Sequence, residues 1–294
     1  MKAAIDIGTN TLLMLIGEEQ NSALKIIRDE HSIARLGEGV DAFKTIQPQA
    51  IERAVTIVKE YREICDELGV SEIRAVATSA MRDAKNREEV CEIFKNILKA
   101  DIEIISGDEE AQMSFSGTVE NSELSTVIDI GGGSTEIITG KASNIESRIS
   151  INIGAVRMTE RFLKDKPGSK ERIAEAQEEI RQQLLKAGAR ETGIIYAVAG
   201  TPTTLAAIAQ GLKDFSRKSI HGYVLKIETV NEILEKLLQS SLEEVLKIPC
   251  VHPQRADILP AGALILKEIL HFLKADSCVV STQGLRYGVL KSMV

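Results

Sequence analysis

The stretch 127–136, VIDIGGGSTE, decides the fold, because an apolar run ends there at Asp129 and gives way to three glycines before Ser134, Thr135 and Glu136. This composition predicts a strand, a tight turn without side chains and a second strand. Glycine lets backbone N–H groups approach a phosphate closely, since no Cβ intervenes and positive φ carries no penalty. The flanking carboxylates favour a divalent cation between acid and phosphate oxygens, with Mg²⁺ as the default. The alternative is a glycine-rich hairpin without a ligand.

The composition is that of a globular protein of one large domain or two ordinary ones, with 294 residues, 44% hydrophobic and 27% charged. A net charge of −7 argues against a general nucleic-acid binder, which needs a basic face. The absence of Trp also weakens any base-stacking surface. A small polyanionic substrate stays possible, because local basic groups and bound cations can invert the field of a site.

The four cysteines are far apart without CxxC spacing, and the four histidines form no HExxH pattern. Neither a zinc site nor a disulfide framework is therefore expected. The N-terminus enters a strand pattern at once, and no stretch of about 18 apolar residues occurs. We expect a cytoplasmic protein with neither a signal peptide nor a membrane partner.

The opening stretch has a second copy near the N-terminus, where AAIDIGTNT at 3–11 resembles TVIDIGGGST at 126–135. Thr78 follows Asp6 by 72 residues, and Thr201 follows Asp129 by 72 residues, each in a small hydroxyl turn after a strand. Two matched landmarks predict a duplicated unit of roughly β-β-β-α-β-α-β. The predicted class is α/β, with two lobes that face each other across a cleft.

Hydrophobic periodicity and turn residues predict the individual elements. The predicted strands are 2–7, 12–17, 24–33, 72–77, 101–105, 125–130, 135–139, 144–151, 194–199 and 277–281. The predicted helices are 48–68, 87–99, one from Glu109, 154–163, 170–187, one after the turn at 200–204, much of 227–247, 260–272 and a short terminal helix.

Small turns are expected to grip phosphate through backbone N–H groups and hydroxyls, and independent loop turns are the alternative. The predicted phosphate-binding residues are Gly8, Thr9, Asn10, Thr11, Thr78, Ser79, Gly131, Gly132, Gly133, Ser134, Thr135, Gly200 and Thr201. Arg82, just past a hydroxyl turn, could neutralise phosphate charge or be a solvated surface residue. Arg255 is a weaker candidate of the same type, since it could instead pair with Asp257.

Two adjacent carboxylates, Glu109 and Glu110, lie at a predicted helix start, where backbone dipoles favour acids without any catalytic role. Hydrolysis of a phosphoanhydride nevertheless needs a base within reach of water. Neither a serine–histidine pair nor a reactive cysteine pattern competes. A water activated by a carboxylate is the most economical mechanism, and spacing leaves the choice between the two open.

Seven motifs together resemble the exopolyphosphatase and guanosine pentaphosphate phosphohydrolase family of the sugar kinase, Hsp70 and actin superfamily. They are DIGTNT at 6–11, ATSAMRDA at 77–84, ISGDEEA at 105–111, VIDIGGGSTE at 127–136, AGTPTTLA at 199–206, RADILPAG at 255–262 and GLRYGVL at 284–290. The resemblance implies duplicated ribonuclease H-like (actin-like ATPase) lobes. It also implies removal of a terminal phosphate from inorganic polyphosphate or guanosine pentaphosphate with Mg²⁺, a possible K⁺ requirement and a homodimer.

The resemblance also implies roles for individual residues. It makes Glu110 the base that activates water, and Glu136 a residue that assists water or metal. It carries Asp129 and Arg82 over as catalytic residues, while Arg255 stays among the phosphate ligands predicted from the residues themselves. The predicted metal ligands are Asp129, Glu136 and Asp6.

Two departures from the family pattern bear on the substrate. Leu13 stands where the family commonly has an arginine, which removes a positive charge near the phosphates. The chain also lacks the helical HD-type domain of longer members, so we expect lower processivity and a preference for short chains. The predicted lobes are 1–120 and 121–294, with a terminal helix at about 284–294 that packs back on the first.

Two other functions stay open. One is a non-hydrolytic nucleotide-binding or phosphate-sensing module, which would bind ligand without releasing phosphate. The other is a kinase for a small acceptor, which fits the superfamily but not the EEA motif.

Overall fold

A computed structural model describes residues 1–20, 23–141, 144–188 and 193–294. The chain divides into two compact units, the first formed by Met1–Gly117 with Gly284–Val294 and the second by Thr118–Gln283. The last helix therefore belongs to the first unit, although it follows the whole second unit in sequence. The predicted cleft concerns the mutual placement of the units and stays a prediction.

The first unit is built on a five-stranded sheet in the order β3-β2-β1-β4-β5. Its strands are β1 (Lys2–Ile7), β2 (Thr11–Gln20), β3 (Ala23–Ile33), β4 (Glu72–Ala77) and β5 (Ile102–Ile104). Its helices are α1 (Val40–Phe43), α2 (Pro48–Glu67), α3 (Ser79–Asp83), α4 (Arg87–Leu98), α5 (Gly107–Thr118, whose last residue starts the second unit) and, at the C-terminus, α13 (Leu285–Lys291). Strands β1 to β3 form an antiparallel meander, and β4 and β5 continue the sheet in parallel with β1.

The second unit is built on a six-stranded sheet in the order β10-β11-β9-β6-β7-β8. Its strands are β6 (Ser125–Ile130), β7 (Thr135–Lys141), β8 (Asn144–Ile151), β9 (Ile194–Val198), β10 (Val224–Lys226) and β11 (Ser277–Val280). Its helices are α6 (Ala155–Phe162), α7 (Lys170–Ala187), α8 (Gly200–Ala209), α9 (Arg217–Ile220), α10 (Ile227–Gln239), α11 (Leu242–Leu246) and α12 (Leu259–Phe272), with a 3-10 turn at Pro253–Arg255.

The two units repeat one topology, since β8-β7-β6-β9-β11 has the same order and directions as β3-β2-β1-β4-β5. The repeat extends to the turns. Gly8 N–H donates to the Thr11 carbonyl at 3.0 Å, and Gly131 N–H donates to the Ser134 carbonyl at 3.0 Å. The predicted α/β class with duplicated lobes is therefore confirmed.

Each unit has its own apolar core, because helices cover the buried faces of its sheet. The apolar stripe of α2 places Ala54, Val58 and Tyr61 in the first core. Helix α13 packs on the other side of that sheet, where Arg286 pairs with Asp29 at 3.1 Å. Arg286 is thus a structural residue of the first unit.

The observed elements differ from the predicted ones mainly where short-range signals compete. The helical pattern at 227–247 is two helices, because Ser241 caps the second and forms a capping box with Glu244. The short elements α1, α3, α9 and β10 were missed, since segments of three to five residues carry too little periodicity. In the described part of the chain, no helix combines the length and the hydrophobicity needed to span a membrane.

Candidate active site

The two hairpins place different side chains at the same position. Asp129 pairs across β6 and β7 with Glu136, so two carboxylates stand opposite each other. In the first unit Asp6 pairs with Leu13. Directly opposed cross-strand residues have Cβ atoms about 4.5–5.5 Å apart, which is close enough for two carboxylates to share a cation. Only the second hairpin carries such a pair.

Glu136 is nearly inaccessible, with 1% of its surface exposed. Its Oε1 accepts a hydrogen bond from the Ser150 hydroxyl on β8 at 2.7 Å. The side chain is thus fixed by the sheet itself, and its predicted role beside the attacking water stays a prediction.

The hydroxyl of Thr135 is engaged within the second unit. Thr135 is fully buried, and its hydroxyl donates to the Ile153 carbonyl at 2.6 Å. This group secures the hairpin to the segment after β8, and the predicted phosphate contact of Thr135 stays a prediction. Thr203 and Thr204 similarly donate to backbone carbonyls within the first turn of α8.

The start of α5 separates the two adjacent acids. The Glu109 carboxylate accepts hydrogen bonds from the Ser106 N–H and hydroxyl, both at 2.8 Å, in a capping-box arrangement. These bonds, the backbone one first, lower the pKa of Glu109. Glu109 therefore closes the helix start, whereas Glu110 is buried with 8% of its surface exposed.

Glu110 is held by Arg82, the arginine predicted to neutralise phosphate charge. Arg82 Nη1 donates to Glu110 Oε2 at 2.6 Å and to the Ile105 carbonyl at 3.0 Å. An ion pair of this length with little solvent around it orients the carboxylate. A positioned carboxylate suits the predicted base, and Arg82 lies close enough to act on the same chemistry.

Arg255 lies directly over the turn that begins α8. A Cβ built on Gly200 would be 1.1 Å from Arg255 Nη1, so the guanidinium occupies the space that only glycine leaves open. Burial lowers the pKa of Arg255 to about 10, which still leaves it charged at neutral pH. The structure thus brings Arg255 to the turn that carries Gly200 and Thr201, two other predicted phosphate ligands that lie far from it in sequence.

The first-unit turn is packed against the segment that follows β3. The Gly37 N–H donates to the Thr9 carbonyl at 2.7 Å, and two N–H groups, of Ala34 and Arg35, donate to the Asn10 carbonyl. The Asn10 Oδ1 atom is buried and has no hydrogen-bond partner among the described residues. Such a side chain can serve a ligand, either as an oxygen donor to a cation or, after a half-turn of the amide, as an N–H donor to phosphate.

The predicted site residues are divided between the two units. Asp6, Gly8, Thr9, Asn10, Thr11, Thr78, Ser79, Arg82 and Glu110 lie in the first unit, and Asp129, Gly131, Gly132, Gly133, Ser134, Thr135, Glu136, Gly200, Thr201 and Arg255 lie in the second. Parallel pairing puts the hydroxyl turns beside the hairpins, since Asp6 pairs with Val76 and Asp129 pairs with Val198.

The carboxylate oxygens are suitable donors for Mg²⁺, but the described side chains alone do not complete the coordination of the ion. No group of three or more His, Cys, Asp or Glu side chains placed to hold a metal occurs in residues 1–20, 23–141, 144–188 and 193–294. The predicted trio of Asp6, Asp129 and Glu136 divides between the units. Mg²⁺ is usually held by one or two carboxylates together with water and substrate phosphates, and the Asp129–Glu136 pair matches that arrangement.

Sequence reasoning missed Arg157, which the structure places against the glycine turn. Its Nε donates to the Gly133 carbonyl at 2.8 Å, and 7% of its surface is exposed. The available signal was an arginine within the small and apolar run GAVRM at 154–158, since arginine is rarely buried without a partner.

Comparisons with known proteins agree on one family. The family model of the Ppx/GppA phosphatase family matches residues 15–294. Exopolyphosphatase 2 of Mycobacterium tuberculosis is 33% identical over 99% of this chain and 98% of its own length. A bifunctional 3-dehydroquinate synthase/phosphatase of Fusobacterium nucleatum is also 33% identical over 99% of this chain, which spans only 46% of that relative. The crystal structure of an exopolyphosphatase from Cytophaga hutchinsonii superimposes with a TM-score of 0.91 at 28% identity, covering 99% of this chain and 97% of that one.

Proposed function

Because the chain belongs to the Ppx/GppA phosphatase family, we propose that it hydrolyses the terminal phosphoanhydride bond of inorganic polyphosphate. Relatives named exopolyphosphatase, alike in sequence and in structure, support this substrate. The observation that carries the proposal is the Glu110 carboxylate, buried and held by Arg82 at 2.6 Å. The alternative substrate is guanosine pentaphosphate, whose terminal phosphate has the same chemistry.

In the proposed reaction a water molecule attacks the terminal phosphorus while the bridging P–O bond breaks. Glu110 accepts the proton of that water, and the shortened polyphosphate leaves with the electrons of the broken bond. Arg82 holds Glu110 in place. The glycine turn and Arg255 bind phosphate oxygens through N–H groups, which lowers the cost of gathering negative charge.

We propose that Asp129 and Glu136 hold Mg²⁺ together with substrate oxygens. When bound, the ion would neutralise charge on the transferred phosphate. The carboxylates are suitable because they face each other across β6 and β7 and because hard oxygen donors are what Mg²⁺ prefers. A monovalent ion such as K⁺ stays a further proposal.

The residue at position 13 bears on the length of polyphosphate that the protein prefers. Leu13 is half-buried at the register position opposite Asp6, where a charged side chain could contact phosphates. A leucine there contributes no attraction to a long polyanion. We therefore propose that short polyphosphates are turned over with higher kcat/KM than long ones.

The experiment that tests the function compares phosphate release from short polyphosphate, long polyphosphate and guanosine pentaphosphate, each with and without Mg²⁺. Release from polyphosphate that depends on Mg²⁺ supports the proposal, and faster release from guanosine pentaphosphate selects the alternative. Saturable binding of all three without phosphate release would refute hydrolysis and favour a sensing module.

The family resemblance also leads us to propose a homodimer, which light scattering coupled to gel filtration would test. A cytoplasmic location is proposed because all four cysteines are unpaired thiols, as expected in a reducing compartment. Cell fractionation tests that location.

A further inference from the structure

The carbonyl groups of the glycine turn all point toward α6. The Ala155 N–H donates to the Gly131 carbonyl at 2.9 Å, and the Val156 and Arg157 N–H groups donate to the Gly132 carbonyl at 2.9 and 3.1 Å. The Gly133 carbonyl accepts from Arg157 Nε at 2.8 Å. Three consecutive peptide groups are therefore anchored by their oxygen ends.

Because the peptide groups are planar, anchoring their oxygen ends also fixes the direction of their N–H groups on the other side of the turn. In a trans peptide the carbonyl and the following N–H point in opposite directions. The N–H groups of Gly132, Gly133 and Ser134 therefore point away from α6. Carbonyl oxygens would repel a phosphate, and these N–H groups would attract it, so the orientation of the three peptides determines whether the turn can bind an anion.

Two of the three anchors are backbone groups that any sequence of α6 could supply. The Gly133 peptide is the exception, because among the described residues its carbonyl accepts a hydrogen bond from the side chain of Arg157 and from no backbone N–H. In the first unit the corresponding carbonyl is held by backbone groups instead of a side chain. There the carbonyl of Asn10, the counterpart of Gly133, accepts from the backbone N–H groups of Ala34 and Arg35.

The close approach of α6 to the turn agrees with this role. A Cβ on Gly154 would lie 2.3 Å from the Gly132 carbonyl oxygen and 2.5 Å from the Gly133 nitrogen. Only glycine fits there, so the helix start touches the turn directly. Arg157 reaches Gly133 from this position with its Nε in a buried setting, where a hydrogen bond is stronger than in water.

We propose that Arg157 is a positioning residue that keeps the Gly133 peptide in the orientation that binds the terminal phosphate. The inference rests on the proposed function, since it names the residue that sets the phosphate affinity of the same turn. Without Arg157 the Gly133 peptide can rotate. Its carbonyl oxygen, which repels phosphate, would then face the phosphate in place of the Ser134 N–H.

The test uses the variants R157A and R157K, with R161A as the control. Arg161 lies on the same helix but is exposed, so R161A removes the same charge without touching the turn. Kinetics with short polyphosphate and inhibition by inorganic phosphate are measured for each protein, together with the melting temperature. R157A should raise KM and the inhibition constant of phosphate roughly 10- to 100-fold, as expected for one charged hydrogen bond. R157K, whose ammonium can donate to the same carbonyl, should recover part of the affinity, and R161A should stay within about twofold of the wild type.

Addition of millimolar guanidinium gives a second readout. It should restore phosphate affinity to R157A if the lost group acts by donating to the turn, whereas a purely structural defect would not be repaired. Unchanged phosphate inhibition in a folded R157A protein would overturn the proposal, and so would a rescue failure in an R157A protein of low stability. An inactive wild type would instead refute the proposed function, so the two failures are distinguishable.

Discussion

Replacement of Glu110 by glutamine separates the chemistry of the proposed base from its packing. The amide keeps the shape of the side chain and still offers an oxygen to Arg82, which lies 2.6 Å from Oε2. It has no basicity, however, and cannot accept a proton from water. We therefore expect E110Q to fold and to bind substrate but to release almost no phosphate.

The expected magnitudes follow from the contacts of Glu110. Loss of a general base lowers kcat by about 10²- to 10⁴-fold, which corresponds to roughly 3 to 5 kcal/mol of barrier. The contact with Arg82 changes from an ion pair to a hydrogen bond between the charged guanidinium and a neutral amide oxygen, so the free energy of unfolding should fall by only about 1 kcal/mol. The loss of activity should thus be much larger than any decrease in the amount of folded protein.

The control is E109Q, because Glu109 is adjacent and isosteric but engaged with Ser106 at the start of α5. Its kcat should stay within about threefold of the wild type, since the cap affects helix stability and not proton transfer. The assay is steady-state phosphate release with a thermal melt of each protein. A folded E110Q protein with kcat within tenfold of the wild type would refute the assignment, as would equal losses in the two variants.

Three further predictions concern other sites. First, the pKa of Glu109 is lowered in the folded state, so its ionised form stabilises the fold. This stabilisation is present above the ordinary pKa of 4.5 and is lost as pH falls through the lower folded pKa. Below about pH 4.5, the melting temperature of E109Q should therefore depend less on pH than that of the wild type. Second, G200A should displace Arg255, whose Nη1 lies 1.1 Å from the new Cβ, and weaken phosphate inhibition about tenfold or more, whereas G168A, whose nearest contact is 3.4 Å, should not. Third, L13R should lower KM for long polyphosphate severalfold at low salt, with the gain disappearing at high salt; an effect independent of salt would contradict an electrostatic origin.

The fold could be predicted from local signals to a large extent. An aspartate near the end of each first strand, Asp6 and Asp129, the turns that follow and the equal spacing to Thr78 and Thr201 indicated a duplicated α/β unit. The sheet orders agree. Local signals failed for elements too short to show periodicity. They also failed at Ser241, where a capping box outweighed a continuous apolar stripe.

The candidate site was less predictable, because its geometry depends on contacts between distant residues. Residue type and position at a helix start could not separate Glu109 from Glu110. Their separation in the structure comes from Arg82, which reaches the second acid but not the first. Thr135 similarly looked like a hydroxyl donor, yet its partner is the Ile153 carbonyl after β8.

The sequence by itself determined the repeat and the glycine turns, and it predicted carboxylates and hydroxyls as the groups of the site. These depend on composition and spacing along the chain, which are local properties. Only the tertiary structure decided which acid is buried beside an arginine, which hydroxyls are already engaged and which way the peptides of the glycine turn face. Those outcomes depend on hydrogen bonds such as the one from Arg157 to Gly133, whose partners are 24 residues apart and meet only when α6 packs against the hairpin.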